Sequence, residues 1–141
     1  MNLQPYLFFD GRSEEAIEFY RKVLGAEVTM LMRWKDCPDP NMPQRPELAN
    51  KVMHAQLRIG DTEVMISDGE CGGQSKFQGF SLTLNAANEA EADRLFAALS
   101  EGGQVRMPLT KTFFSPRFGM LADRFGLGWM VIVPAAQAKA A

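Results

Sequence analysis

The spacing of apolar side chains changes along the chain from the period of a strand to that of a helix and back. A short apolar segment at 3–9 precedes residues 14–24, in which apolar side chains recur on one helical face. Ser13 is positioned as the N-cap of this helix, and Gly25 as its stop. Three segments with strand-like alternation follow, at 27–34, 53–59 and 62–67. The first half therefore predicts the order β-α-β-β-β.

The second half repeats this order of elements. An alternating segment at 80–85, with Phe80, Leu82 and Leu84 on its apolar side, leads to a predicted helix at 89–100. Asn88 is its expected N-cap, with Glu91 as the reciprocal partner. Short strands follow near 104–107, 118–123 and 129–133. The pattern predicts an α+β protein with two βαβββ modules, at 1–68 and 80–134, a linker at 69–79 and a C-terminal tail at 135–141.

Residues 35–52 interrupt the alternation. They contain Pro38, Pro40, Pro43 and Pro46, so regular structure is predicted to be improbable there. The favoured expectation is irregular coil, and the alternative is a lid over a cleft.

Composition narrows the possible functions. The 141 residues carry a net charge of -2, and neither sign is clustered, which argues against a nucleic-acid partner. No apolar run approaches the roughly 20 residues of a membrane span, and residues 1–5 lack the pattern of a secretory signal. A cytoplasmic location is therefore expected. Cys37 and Cys71 lie in loop-like sequence and are expected to be reduced thiols.

An ordered set of motifs resembles the PhnB-like branch of the vicinal-oxygen-chelate superfamily, which includes glyoxalases and bleomycin-resistance proteins. The motifs are Pro5–Gly11, Glu15–Tyr20, His54–Leu57, Met65–Asp68, Gly79–Leu82, Phe118–Gly119, Asp123–Gly126 and Trp129–Met130. The resemblance implies paired βαβββ modules in which mixed sheets form cups, within one domain spanning 1–141. It also implies a homodimer, because cups in such proteins are often completed by two subunits. Members are often described as 3-demethylubiquinone methyltransferase-like or glyoxalase-like.

The superfamily's usual metal ligands are missing from the matching strands. Its enzymes hold a divalent ion through His and carboxylate side chains on the first and last strands of each module. Those strands contain no His here, and the nearby carboxylates, Glu63, Asp68 and Asp10, lie near strand ends. Because a catalytic metal needs about three protein ligands, we predict no metal and no cofactor.

Four residues are predicted to contact a ligand. His54, the only histidine, alternates with an apolar face, so it can line the cup together with Tyr6, Ser67 and Trp129. The competing interpretation of His54 is a surface or hydrogen-bonded structural residue, and that of the others is core packing. No catalytic residue is assigned.

Binding of a small organic molecule is the favoured function. A lyase or isomerase of the glyoxalase type, with or without a metal, is the first alternative. A structural or regulatory dimer whose cup is filled by its own side chains is the second. Methyl transfer is not supported, because Asp10-Gly11-Arg12 after the first strand is no Gly-rich cofactor turn and the chain is short for that fold.

Overall fold

The computed structural model describes residues 1–41, 45–71 and 76–135, which fall into two compact units, Met1–Ser75 and Lys76–Ala141. Each unit has the element order β-α-β-β-β, so the predicted α+β architecture is confirmed. The boundary between the units lies within the predicted linker at 69–79. Most of the predicted tail, residues 136–141, lies outside the described residues. None of the described helices is long and apolar enough to cross a membrane.

The first unit forms a mixed four-stranded sheet. Its elements are β1 (Tyr6–Phe8), α1 (Ser13–Leu24), β2 (Glu27–Arg33), β3 (Val52–Ile59) and β4 (Thr62–Ser67). The strands lie in the order β1-β4-β3-β2, with β1 parallel to β4 and the other pairs antiparallel. Leu57 and Ile66 are fully buried on one face of this sheet, and Ala16 and Tyr20 of α1 are buried with them. The opposite face of the sheet is not covered by α1, so it can contact a ligand or another chain.

Asp68, rather than Ser13, caps the start of α1. Ser13 is the first helical residue, and its hydroxyl is buried without a hydrogen-bond partner among the described residues. Oδ1 of Asp68 accepts the amides of Gly11 and Ser13 at 2.9 and 2.8 Å, and Oδ2 accepts the amide of Val52 at 2.9 Å. The predicted Ser13 cap is wrong because a carboxylate at the end of β4 reaches the free helix amides instead. At the other end α1 stops as predicted, at Gly25 with φ of 66°.

The second unit repeats the topology of the first. It contains β5 (Leu82–Asn85), α2 (Glu89–Ser100), β6 (Gln104–Thr110), β7 (Arg117–Ala122) and β8 (Gly128–Val133), with strand order β5-β8-β7-β6. Asn88 caps α2 as predicted, its Oδ1 accepting the amide of Glu91 at 2.8 Å. The Glu91 carboxylate accepts the amide of Ala87. The predicted strand start at residue 80, with Phe80 on the apolar side, is wrong, because β5 begins only at Leu82 and the Phe80 side chain is exposed.

The proline-containing stretch after β2 is more ordered than predicted. Two one-turn 3-10 helices, Trp34–Asp36 and Pro46–Leu48, lie within it. Its two ends pair through the bonds from Trp34 N to Lys51 O and from Lys35 N to Ala49 O, at 3.0 and 3.1 Å. Pro46 is compatible with a helix because it occupies the first turn, where its missing N–H is not needed. Residues 42–44 lie outside the described residues.

Candidate functional site

The open face of the first unit is the sheet face opposite the buried one. Alternation and strand register place on it Tyr6 and Phe8 of β1, Glu27, Met30 and Met32 of β2, His54, Gln56 and Arg58 of β3, and Glu63, Met65 and Ser67 of β4. Strand register sets Tyr6 beside Met65, Gln56 between Met65 and Met30, and His54 beside Met32. The sequence pattern had indicated the face of β1 and β3. The contribution of β2 required its register against β3.

Tyr6 and His54 form a hydrogen-bonded pair on this face. The Tyr6 hydroxyl lies 2.8 Å from Nδ1 of His54, and the two rings have centroids 5.5 Å apart. The Tyr6 ring also stacks on that of Phe8, with centroids 4.9 Å apart. Nε2 of Gln56 lies 3.4 Å from Nε2 of His54. If the Gln56 amide donates to Nε2, the proton of a neutral imidazole sits on Nδ1 and faces the Tyr6 oxygen.

Ser67 lies beneath this pair and is only 3% exposed. Its Oγ accepts the amide of Gly69 at 2.8 Å. Burial raises the pKa of the Tyr6 hydroxyl above its usual value, and a hydrogen bond with Ser67 partly offsets this effect. Tyr6 therefore remains a neutral phenol at neutral pH, able both to donate and to accept a hydrogen bond. The structure brings together three of the four predicted residues, with Ser67 supporting Tyr6.

Trp129 belongs to the second unit and lies on the buried face of β8. It is 2% exposed, and its indole N–H donates to Oδ2 of Asp123 at 2.9 Å. Trp129 thus occupies a buried position, as Val131 does, while Met130 takes the half-exposed face. The other oxygen of Asp123 accepts the amides of Phe125 and Leu127, so the Asp-x-Phe-Gly turn is a structural motif here. Contact between Trp129 and a ligand stays a prediction.

The carboxylates considered as metal ligands have structural partners. Both oxygens of Asp68 are used by backbone amides, and Glu63 accepts the Thr29 hydroxyl at 3.1 Å and the Gln4 amide at 3.5 Å. Within 1–41, 45–71 and 76–135, no three His, Cys, Asp or Glu side chains are grouped so that they could hold a metal ion. Around His54, the open face consequently offers an imidazole, a phenol and an amide, with methionines and a phenyl ring at neighbouring positions.

Two mixed-sheet βαβββ units of this kind define a protein of the vicinal-oxygen-chelate class, with the glyoxalase/bleomycin-resistance fold. The crystal structure of the fosfomycin resistance protein FosX from Mesorhizobium loti has this fold. It matches with a TM-score of 0.64 and 13% identity, over 99% of this chain and 96% of that chain. Within the class, the chain belongs to the PhnB-like family. Residues 1–132 match the family model described as 3-demethylubiquinone-9 3-methyltransferase.

Individual relatives support this membership. Protein YjdN of Escherichia coli is 33% identical over 94% of this chain and 95% of its own length. The crystal structure of protein PA1353 from Pseudomonas aeruginosa has a TM-score of 0.83 and 39% identity, covering 95% of this chain and 98% of that one. A PhnB protein from Bacillus cereus, described as a putative 3-demethylubiquinone-9 3-methyltransferase, has a TM-score of 0.79 and 29% identity, over 94% and 99% of the two chains.

Proposed function

We propose that this PhnB-like protein binds a small organic molecule on the open face of the first unit, in the cytoplasm and as a homodimer. The observation that carries the proposal is the 2.8 Å hydrogen bond between Tyr6 and His54 on a half-exposed sheet face. A paired phenol and imidazole at such a position can redirect their hydrogen bonds to a ligand. The proposal assigns direct contact to Tyr6 and His54, and a supporting role to Ser67.

The surroundings of this pair suit an organic ligand. Phe8 is 46% exposed and Tyr6 is 39% exposed, so both rings offer accessible apolar area beside the polar atoms. Met65 adds an adaptable apolar surface next to Tyr6. Small-molecule sites combine a mostly apolar lining with a few polar groups that fix orientation, and this face has that combination.

Dimer formation would complete the site. One face of each sheet is covered by its own helix, while the open face of the first unit keeps exposed rings that a second copy of the chain could cover. Sedimentation velocity at micromolar concentration is expected to show a species of twice the chain mass. A purely monomeric sample would contradict this part of the proposal.

A metal-independent lyase or isomerase of the glyoxalase type is the second candidate. The observation that favours it is the same short bond, because a Tyr–His pair can move a proton to or from a bound substrate. Burial raises the pKa of Tyr6, so that it would act as the acid while His54 supplies the base. Conversion of a ligand by the parent protein, lost in both Tyr6→Phe and His54→Ala, would favour the enzyme over the binding protein.

The methyl transfer named in the family description has less support from the residues. Each sheet contains a single parallel strand pair, and β1 leads into Asp10-Gly11 rather than a Gly-rich turn that could cradle a nucleotide cofactor. S-adenosylmethionine should therefore not raise the melting temperature of the protein. A saturable rise would favour methyl transfer over the other two candidates.

A thermal-shift screen of phenols, aromatic carboxylates and 2-oxo acids tests the binding proposal. A compound that stabilises the parent protein should bind about tenfold or more weakly to Tyr6→Phe and His54→Ala, since each loses a hydrogen bond to the ligand. Thr83→Ala, on an exposed position of β5, is the matched control and should bind as the parent does. Unchanged affinity in both site variants, with near-parental melting temperatures, would show that the proposed site is wrong.

A further inference from the structure

Strand register places three methionines on the open face at positions next to or diagonal to His54. Met32 is the direct cross-strand partner of His54, while Met30 and Met65 are the partners of Gln56 on its two sides. Directly opposed side chains have Cβ atoms about 4.5–5.5 Å apart, and diagonal ones about 7–8 Å apart. At such distances a methionine and a histidine side chain are long enough to contact the same bound ion. All three methionine residues are partly exposed.

The two ring nitrogens of His54 differ in their hydrogen bonds, and Nε2 has the longer contact. Nδ1 is only 2.8 Å from the Tyr6 oxygen, whereas the only hydrogen bond that the described residues make to Nε2 is the 3.4 Å contact with Gln56. Nε2 therefore lies on the side of the ring toward Gln56, whose register partners are Met65 and Met30. Histidine ligands of metals commonly donate their other N–H to an oxygen, which fixes the ring, and Tyr6 provides such an oxygen.

The geometry points to a binding site for a soft monovalent cation, Cu(I) or Ag(I), formed by Nε2 of His54 and the sulfur atoms of Met30, Met32 and Met65. Thioethers select Cu(I) over harder divalent ions, and imidazole also suits copper. The site goes beyond the proposed organic ligand. It also differs from the His–carboxylate site that the sequence argues against, because the carboxylates on this face have other partners. Glu63 is held by Thr29 and Gln4, and Glu27 by Arg58.

The second unit supplies an internal comparison. Met107 of β6 pairs with Met120 of β7, which pairs with Met130 of β8, so three half-buried methionines also occupy neighbouring strands there. This set lacks an imidazole, since His54 is the only histidine of the chain. If thioethers alone were sufficient, both sets would bind equally well. If His54 is required, only the first unit should bind with high affinity.

Anaerobic titration of Cu(I) against bicinchoninate, a coloured competing chelator, tests the inference. The full chain should carry Cys37→Ser and Cys71→Ser, because both cysteines are partly accessible and thiolates also bind Cu(I). This parent is expected to withdraw one Cu(I) per chain from the chelator and no Zn(II) from a zinc indicator. Met32→Leu with Met65→Leu should weaken Cu(I) binding about tenfold or more, because leucine keeps the apolar volume and removes the sulfur.

Tyr6→Phe should weaken Cu(I) binding about 10–100-fold, the usual effect of losing an outer hydrogen bond to a metal-ligating histidine. The control, Met120→Leu with Met130→Leu, should bind as the parent does. Failure of the parent to compete with bicinchoninate would overturn the inference. So would undiminished binding by Met32→Leu with Met65→Leu, or an equal loss in the control, provided that circular dichroism shows all variants folded. Leucine preserves the apolar contacts of methionine, so Met32→Leu with Met65→Leu should still bind the organic ligand. Loss of Cu(I) binding in that variant is therefore distinguishable from loss of the organic ligand.

Discussion

Replacing Asp68 with alanine removes the carboxylate that joins β4 to the start of α1 and to β3. Three backbone amides lose their acceptor, those of Gly11, Ser13 and Val52, which lie 2.8–2.9 Å from the carboxylate oxygens. The bonds to Ser13 and Val52 are buried, so water cannot readily replace the lost acceptor there. Leaving a buried donor unsatisfied costs about 1–3 kcal/mol, and the two together predict a loss of about 2–6 kcal/mol.

This loss is a large part of the stability of an ordinary domain, about 5–15 kcal/mol. Asp68→Asn should cost less, about 1–3 kcal/mol, because the amide oxygen can still accept from Gly11 and Ser13 while its NH₂ group faces the Val52 donor. Asp61→Ala, in the exposed turn between β3 and β4, serves as the control and should stay within about 0.5 kcal/mol of the parent.

Urea denaturation followed by circular dichroism measures these free energies of unfolding, and amide hydrogen exchange locates the effect. The amides of Ser13 and Val52 should lose protection first in Asp68→Ala. The reasoning would be refuted if Asp68→Ala unfolded within about 1 kcal/mol of the parent, or if Asp68→Asn were the more destabilised variant. Unchanged protection of both amides would refute it as well.

Three further outcomes are expected. Gly103→Ala should lower stability by about 1–3 kcal/mol in urea denaturation, because a Cβ there would overlap the carbonyl oxygen of Ala122; parental stability would contradict the close approach. In a Cys37→Ser background, alkylation of Cys71 by iodoacetamide should reach half its maximal rate at a pH above the usual thiol pKa, since burial raises the pKa of this thiol. A midpoint at or below the usual thiol pKa would count against the burial of the Cys71 thiol. The phenol absorbance lost in Tyr6→Phe should titrate above pH 10, since burial raises the Tyr6 pKa, and titration below pH 10 would argue against it.

The sequence by itself determined those features that depend on neighbours within a few positions. Helix α2 begins and ends at the predicted residues, Glu89 and Ser100, because the Asn88 cap and the apolar stripe are both local signals. The repeated βαβββ order also followed from local periodicity. The same alternation identified the face on which Tyr6 and His54 lie, although it could not show that they touch.

Only the tertiary structure decided which side chains meet. The bond between Tyr6 and His54 joins residues 48 positions apart, and that between Asp68 and the Ser13 amide joins residues 55 apart. Both depend on β1 pairing with β4, and β4 with β3, in one particular register. Trp129 took the buried face because one step of strand register moves a side chain from one face to the other, and the alternation of β8 alone permitted both. Long-range strand pairing, which local patterns do not encode, therefore determined the candidate site.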